Sequence, residues 1–277
     1  MKLAGHTHGV QGICSDVLAM VDKIAELGFQ GLELAARERV FTVESSRQEH
    51  ERLRKHIEQS GLEPVNIACY AGEGAEGLNA ADQAVRELAE RGIEAHLRLA
   101  RDLGFPCVRT FPGGAPNCDG VVADAQRAFD LSVSGLQRVA NLADDLGVTM
   151  LIENHPASIA CSAGETVKLV EAVDRPNVCI LYEPSNLLVF AGEEDHRRGF
   201  ELQKRWIRHT HIKDQVRNAD GSYATTVPGR GILPWADIFG WLGDMGHPSF
   251  LSFEAAWTDD LARREEELKE GIAFMRR

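Results

Sequence analysis

Short apolar runs alternate along the chain with longer stretches in which apolar side chains recur every three or four positions. The runs Leu3–His8, Gly31–Ala35, Pro64–Cys69, Pro106–Phe111, Val148–Glu153, Val178–Glu183, Trp206–Ile212 and Ser249–Glu254 are nearly continuous in apolar character, which predicts strands buried on both faces. Between them Asp16–Leu27, Ser45–Gln59, Asp82–Leu103, Asp124–Leu146, Ala163–Val173, Glu193–Arg205, Trp235–Asp244 and Asp259–Met275 read as amphipathic helices. In the first of these, Val17, Met20, Val21, Ile24 and Leu27 follow the helical period. Gly28, Gly61, Gly104, Gly147 and Gly246 punctuate the pattern at helix ends, where glycine takes the left-handed conformation without a Cβ clash. Eight strands alternating with eight helices over 277 residues predict an α/β protein, a single (β/α)8 TIM barrel spanning residues 1–277, rather than an open doubly wound sheet.

Composition narrows the partners. A net charge of −12 argues against a nucleic-acid backbone, which calls for a basic face. No window reaches the length of a membrane span, and Met1–His6 lacks the apolar core of a secretion signal. The six cysteines contain no C-x-x-C pair, and several sit in apolar runs as small hydrophobes, which suits a reducing cytoplasm. Gly72–Gly77 matches G-x-G-x-x-G, but Glu73 and Glu76 would put negative charge where a pyrophosphate must bind, and the match falls in the third βα unit rather than the first. It reads as a loop.

The candidate chemistry lies at the ends of the last four strands, on the face where barrels of this kind carry their active sites. They close with Ile152-Glu153, Tyr182-Glu183, His209-Thr210-His211 and Phe253-Glu254. Alternation along a strand sends His209, His211 and Lys213 to one side. Buried carboxylates are costly unless paired or bound to metal, so three of them converging with imidazole point to a hard, oxygen-rich metal site. Such a donor set suits Mn²⁺, Mg²⁺ or Co²⁺, and a cation there can polarise a substrate carbonyl while a carboxylate moves the proton beside it.

These motifs, together with Asn154-His155-Pro156, Pro184-Ser185-Asn186, Ile212-Lys213-Asp214 and Pro228-Gly229-Arg230-Gly231, resemble the xylose isomerase-like TIM-barrel superfamily of sugar isomerases and epimerases. The resemblance is strongest over residues 148–257. It implies one divalent metal, most often manganese, held by Glu153, Glu183, His211 and Glu254, with Glu153 and Glu254 as the acid/base pair on opposite faces of the substrate carbon. The chain departs from the ketose 3-epimerase branch at Asn186, where that branch has histidine, and from the wider family at Glu183, where aspartate is usual. The extra methylene of Glu183 reaches about 1.5 Å farther.

Arg217 stands where the epimerase branch has an arginine, and His8, His155, Asn186 and Trp257 complete the residues expected to reach substrate. Glu33 is a candidate for a substrate hydroxyl or a supporting role, and His209, one layer deeper than His211, for a supporting or core role. The long stretch 214–233 reads as a binding loop or lid. The expected activity is isomerisation or epimerisation of a small sugar, keto-sugar or polyol through an enediolate. The alternative is dehydration of an inosose- or dehydroshikimate-like compound on the same site. An endonuclease IV-like repair enzyme fits poorly, because it needs further ligands and a basic face. A homo-oligomer using Phe190 or Trp241 is compatible with the sequence.

Overall fold

The computed structural model describes residues 1–37, 40–246, 250–254 and 260–276. In chain order the strands are β1 (Lys2–His6), β2 (Gly31–Ala36), β3 (Glu63–Cys69), β4 (Cys107–Thr110), β5 (Thr149–Glu153), β6 (Val178–Tyr182), β7 (Ile207–Ile212), β8 (Asp214–Arg217), β9 (Tyr223–Thr226) and β10 (Phe250–Phe253). Among the described residues, eight of them close in the order β1-β10-β7-β6-β5-β4-β3-β2, and β8 and β9 form a separate antiparallel hairpin. The seam is parallel, with Lys2 opposite Phe250 and Gly5 opposite Phe253. A single (β/α)8 TIM barrel is the architecture.

The helices are α1 (Thr7–Val10), α2 (Val17–Glu26), α3 (Arg47–Ser60), α4 (Gln83–Leu103), α5 (Ala125–Asp145), α6 (Ala163–Val173), α7 (Pro184–Ala191), α8 (His196–Gln203), α9 (Trp235–Asp244) and α10 (Leu261–Met275). Their starts are set by short polar side chains. The Asp16 carboxylate accepts from the amides of Leu18 and Ala19, while Ser46 with Glu49 and Ser162 with Glu165 form reciprocal capping boxes. Each such cap stabilises its helix by about 1 kcal/mol. The five punctuating glycines all have positive φ, as the helix-end pattern requires.

Alternation along β5 builds two different interiors. Met150 and Ile152 face outward into the apolar layer shared with Ile93, Leu97, Leu136, Val139 and Ile180. Leu151 faces inward, where it packs with Cys179 and Leu181 at the bottom of the barrel. Above that plug the barrel turns polar, with Glu33, Asn66, Arg109, Glu153, His209 and His211 all buried.

Three expectations need correction. The first strand ends at His6, not His8: the chain turns into α1, whose start is capped when His6 Nδ1 accepts the His8 amide. The strand expected to reach Glu183 ends at Tyr182, and the chain turns into α7, with Pro184 in its first turn and Glu183 as its cap. The presumed loop 214–233 contains the β8–β9 hairpin, because Gly221 supplies the positive φ its turn requires. Gly72–Gly77 is a βα loop, and its Gly77 approaches Gly113 so closely that a Cβ would lie 2.5 Å from the Gly113 Cα.

Candidate metal centre

The C-terminal ends of β5, β6, β7 and β10 deliver Glu153, Glu183, His211 and Glu254 to one place. His211 Nδ1 lies 3.7 Å from Glu153 Oε1 and 3.9 Å from Glu254 Oε2. One ligand atom each from Glu153, Glu183 and His211 falls within 4.8 Å of the others. Glu183 enters as the cap of α7: its Oε1 accepts the Ser185 amide at 2.8 Å, which leaves Oε2 directed at the centre. Asn154 fixes the backbone on which Glu183 sits. Its Nδ2 donates to the Glu183 carbonyl at 2.6 Å, and its Oδ1 accepts the Glu183 amide at 3.1 Å.

Two atoms at the centre are left over. His211 Nδ1 and Glu183 Oε2 are buried without a hydrogen-bond partner among the described residues. An unsatisfied buried polar atom costs about 1–3 kcal/mol. A cation at their point of convergence supplies a partner to both, and oxygen donors with one imidazole fit a hard divalent ion. The residues therefore fit the group that the sequence motifs imply.

Lys213 provides the centre's own positive charge. Its Nζ lies 3.1 Å from Glu254 Oε2 and 3.4 Å from Glu183 Oε2. Burial opposes ionisation throughout, and the balance differs by residue. For Glu254 the surrounding Lys213, His211 and His6 outweigh it and hold the carboxyl down at about 2. For Glu153 the Arg109 guanidinium and His211 hold it well below the usual carboxylate range. For Glu183 burial wins over Lys213 and His211, and the carboxyl is pushed up to about 7. His211 is raised well above the ordinary imidazole value, because Glu33 and Glu153 together outweigh its burial.

Around the centre lies a cavity of about 480 Å³. His8, His155 and Asn186 line it, as expected of residues near a ligand. Asn186 Nδ2 donates to Glu153 Oε1 at 3.3 Å and to the Asn154 carbonyl at 3.0 Å, so it steadies the carboxylate. The His155 ring stands edge-on to Phe111. Arg217 does not line the cavity: its side chain is 58% exposed, pairs with Glu194 and lies over the ring of Tyr223. Trp257 lies outside the described residues. Phe190 stands at the cavity mouth, whereas Trp241 packs against Phe200 on the helical layer.

The sequence reading missed Arg109 and Tyr70. Arg109 is buried on β4, 3.4 Å from Glu153 Oε2, and its guanidinium lies over the rings of Tyr70 and Phe111. A charged residue inside the apolar run Cys107–Thr110 was the available signal. Gln215, Tyr223 and Thr225 of the hairpin also reach the cavity.

The chain belongs to the xylose isomerase-like TIM-barrel family, whose model matches residues 21–277. It is 24% identical over 285 residues to D-psicose 3-epimerase of Agrobacterium fabrum, covering 92% of this chain and 91% of that protein. It is 29% identical over 144 residues to an inosose dehydratase of Geobacillus thermodenitrificans, covering 47% of this chain and 48% of the relative, so that match spans about half of either protein. In three dimensions it resembles the probable 3-DHS dehydratase of Bacillus anthracis involved in petrobactin synthesis, with a TM-score of 0.79 at 20% identity over 100% of this chain and 99% of the other. At that identity the likeness establishes the fold alone. Among the described residues no helix is long and apolar enough to cross a membrane.

Proposed function

We propose that this protein is a divalent-metal-dependent isomerase or epimerase of a small sugar, keto-sugar or polyol, with Glu153, Glu183, His211 and Glu254 as metal ligands and Glu153 and Glu254 as the acid/base pair. The observation that carries the reading is the convergence of these side chains at His211 Nδ1 and Glu183 Oε2, two buried atoms without a hydrogen bond among the described residues. A bound Mn²⁺, or Mg²⁺ or Co²⁺ in its place, supplies the positive charge that polarises a substrate carbonyl. Glu153 and Glu254 enter from β5 and β10, with β6 and β7 between them in the barrel, so they approach from separate directions. One carboxylate removes the proton from the carbon beside the carbonyl. The other, ionised in the free site, must take up a proton as the substrate binds before it can deliver one to the opposite face, so that the two carboxylates exchange protonation states over the reaction. Asn186 and Arg109 hold Glu153 in place by their contacts to its two oxygens.

Dehydration is the second reading, favoured by Lys213. Its Nζ stands beside Glu254 at the cavity, where it can hydrogen-bond the oxygen of a departing β-hydroxyl. Against the cost of burial, the neighbouring carboxylates raise it above the ordinary lysine value, so it acts as a fixed positive charge that holds its own proton. The half-length likeness to inosose dehydratases supports the same alternative. The acidic net charge suits a small carbohydrate rather than nucleic acid, and the six free cysteines suit the cytoplasm.

The test is metal analysis of the purified protein, followed by proton–deuterium exchange at carbons next to the carbonyl across a panel of keto-sugars and ketoinositols. Glu254→Gln is expected to lower exchange by about 10²–10⁴-fold. Dehydration would reveal itself as a conjugated carbonyl absorbing in the near ultraviolet. Absence of bound divalent metal, with exchange unchanged in Glu254→Gln, overturns both readings.

A further inference from the structure

Beneath the candidate centre, the floor of the polar cavity is organised by one carboxylate. Glu33, on β2, is fully buried and is surrounded by nitrogen donors. Its Oε1 receives Asn66 Nδ2 at 2.8 Å and His211 Nε2 at 3.0 Å, and its Oε2 receives His209 Nε2 at 3.0 Å. His6 Nε2 stands 3.6 Å from Oε1. His6 Nδ1 already accepts the His8 amide at 3.1 Å, so the ring proton of neutral His6 is on Nε2, facing Glu33. His209 Nε2 also lies 2.9 Å from Ser252 Oγ.

A carboxylate only accepts hydrogen bonds, so each nitrogen within hydrogen-bond distance of Glu33 carries a hydrogen. His211 has two ring nitrogens, one on Glu33 and one on the centre above. Nε2 spends its hydrogen on Glu33, so Nδ1, the atom that faces Glu153 and Glu254, is the one that gives up its proton when an ion takes that proton's place. Nδ1 has no hydrogen-bond partner among the described residues, which leaves it as the ring atom open to an ion.

We propose that Glu33 is a positioning residue that fixes the tautomer and ring orientation of His211, so that His211 offers Nδ1 to the metal. The inference rests on the reading of His211 as a ligand and adds which atom binds and what holds it there. Glu33, His209 and His211 also lie close enough together to suggest a second ion site. Their separations of 3.0 Å between facing atoms are those of hydrogen bonds, and the Asn66 amide nitrogen on the same oxygen occupies the space with a donor.

The experiment uses the full chain with Zn²⁺ alone as probe, reading affinity by chelator competition and the histidine ring nitrogens by ¹⁵N NMR. In the wild type one equivalent binds, His211 Nδ1 shows the coordinated shift, and Nε2 retains a slowly exchanging proton. Glu33→Gln keeps the volume but loses an acceptor and the charge. It is expected to weaken Zn²⁺ binding about 10–100-fold and to expose the Nε2 proton to exchange. Ser252→Ala perturbs the same floor through His209 and is expected to leave affinity unchanged, which separates positioning from general damage. The wild-type NMR measurement stands even where Glu33→Gln does not fold: coordination through Nε2 overturns the proposal. So does wild-type affinity in Glu33→Gln with Nδ1 still bound, which leaves His211 a ligand. Loss of a second Zn²⁺ equivalent in that variant makes Glu33 a ligand and likewise overturns it. A wild-type chain that binds no Zn²⁺ removes the reading underneath.

Discussion

At the scale of single residues the centre is a contest between burial and neighbouring charge, and Lys213 and Glu183 show its two outcomes. Lys213 neutralises Glu254 and Glu183 from a largely buried position. Replacing it by methionine keeps the stem and removes the charge, leaving two carboxylates without their cation. The metal-free Lys213→Met protein is expected to lose about 3 kcal/mol of stability. Added Mn²⁺ should restore more than it does in the wild type, read as the difference in melting temperature with and without the ion. An equal ion-induced shift in both proteins would mean that Lys213 does not share the ion's carboxylates.

Glu183 gives a pH dependence. Its carboxyl is pushed up to about 7 against an ordinary value of 4.5, so the folded metal-free chain holds a proton that the unfolded chain has released. This group's contribution to stability therefore declines as pH rises from about 4.5 to 7, and metal must displace that proton on binding. Affinity for Mn²⁺ is expected to climb with pH up to about 7 and then level off for this group, with proton release measured by calorimetry in two buffers. Glu153, Glu183, His211 and Glu254 could be singled out from the sequence because each closes a strand, and strand ends share one face of a barrel. Glu33 and Arg109 could not be given their partners in the same way. Glu33 meets His209 and His211 across 176 and 178 residues of chain, a contact created by barrel closure that no local pattern encodes.

Elements were legible where their signals are local and repeated. Apolar runs, the helical period and helix-end glycines marked the barrel strands and their covering helices, with ends shifted by up to three residues. The signals of α7, Glu183 as cap and Pro184 in the first turn, are local, but the helix spans only eight residues. The β8–β9 hairpin was missed because part of what holds it is not local. Asp214 is fully buried and holds the segment after the hairpin: its Oδ2 accepts the amides of Gly229 and Gly231, and its Oδ1 that of Leu233. Gly231 is needed for that grip, since a Cβ there would lie 2.2 Å from Asp214 Oδ1. Asp214→Ala is expected to free residues 214–233, because hydrogen bonds to a charged group stabilise by about 1.5–3 kcal/mol each. Limited proteolysis should then cut within this segment while the barrel stays intact. Cleavage no faster than in the wild type would show that the hairpin is held by its own pairing.

For the whole molecule the two interiors have separate duties. The outer layer between strands and helices is apolar and supplies the folding energy, whereas the upper barrel concentrates Glu33, Arg109, Glu153, Glu183, His209 and His211, whose burial is costly. Metal-linked stability and core stability should accordingly respond to different substitutions. Ile152→Ala, facing the helices, is expected to cost about 2–5 kcal/mol and to leave metal affinity unchanged. Saturating Mn²⁺ at about 100 times its dissociation constant adds about 2.7 kcal/mol to the wild type, and a chelator removes that increment. In Ile152→Ala the same increment should persist on a lower baseline, while in His211→Ala it should vanish. Thermal melts of the three proteins with Mn²⁺ and with chelator decide this, and an increment that disappears in Ile152→Ala would mean that the apolar layer and the metal centre form a single cooperative unit.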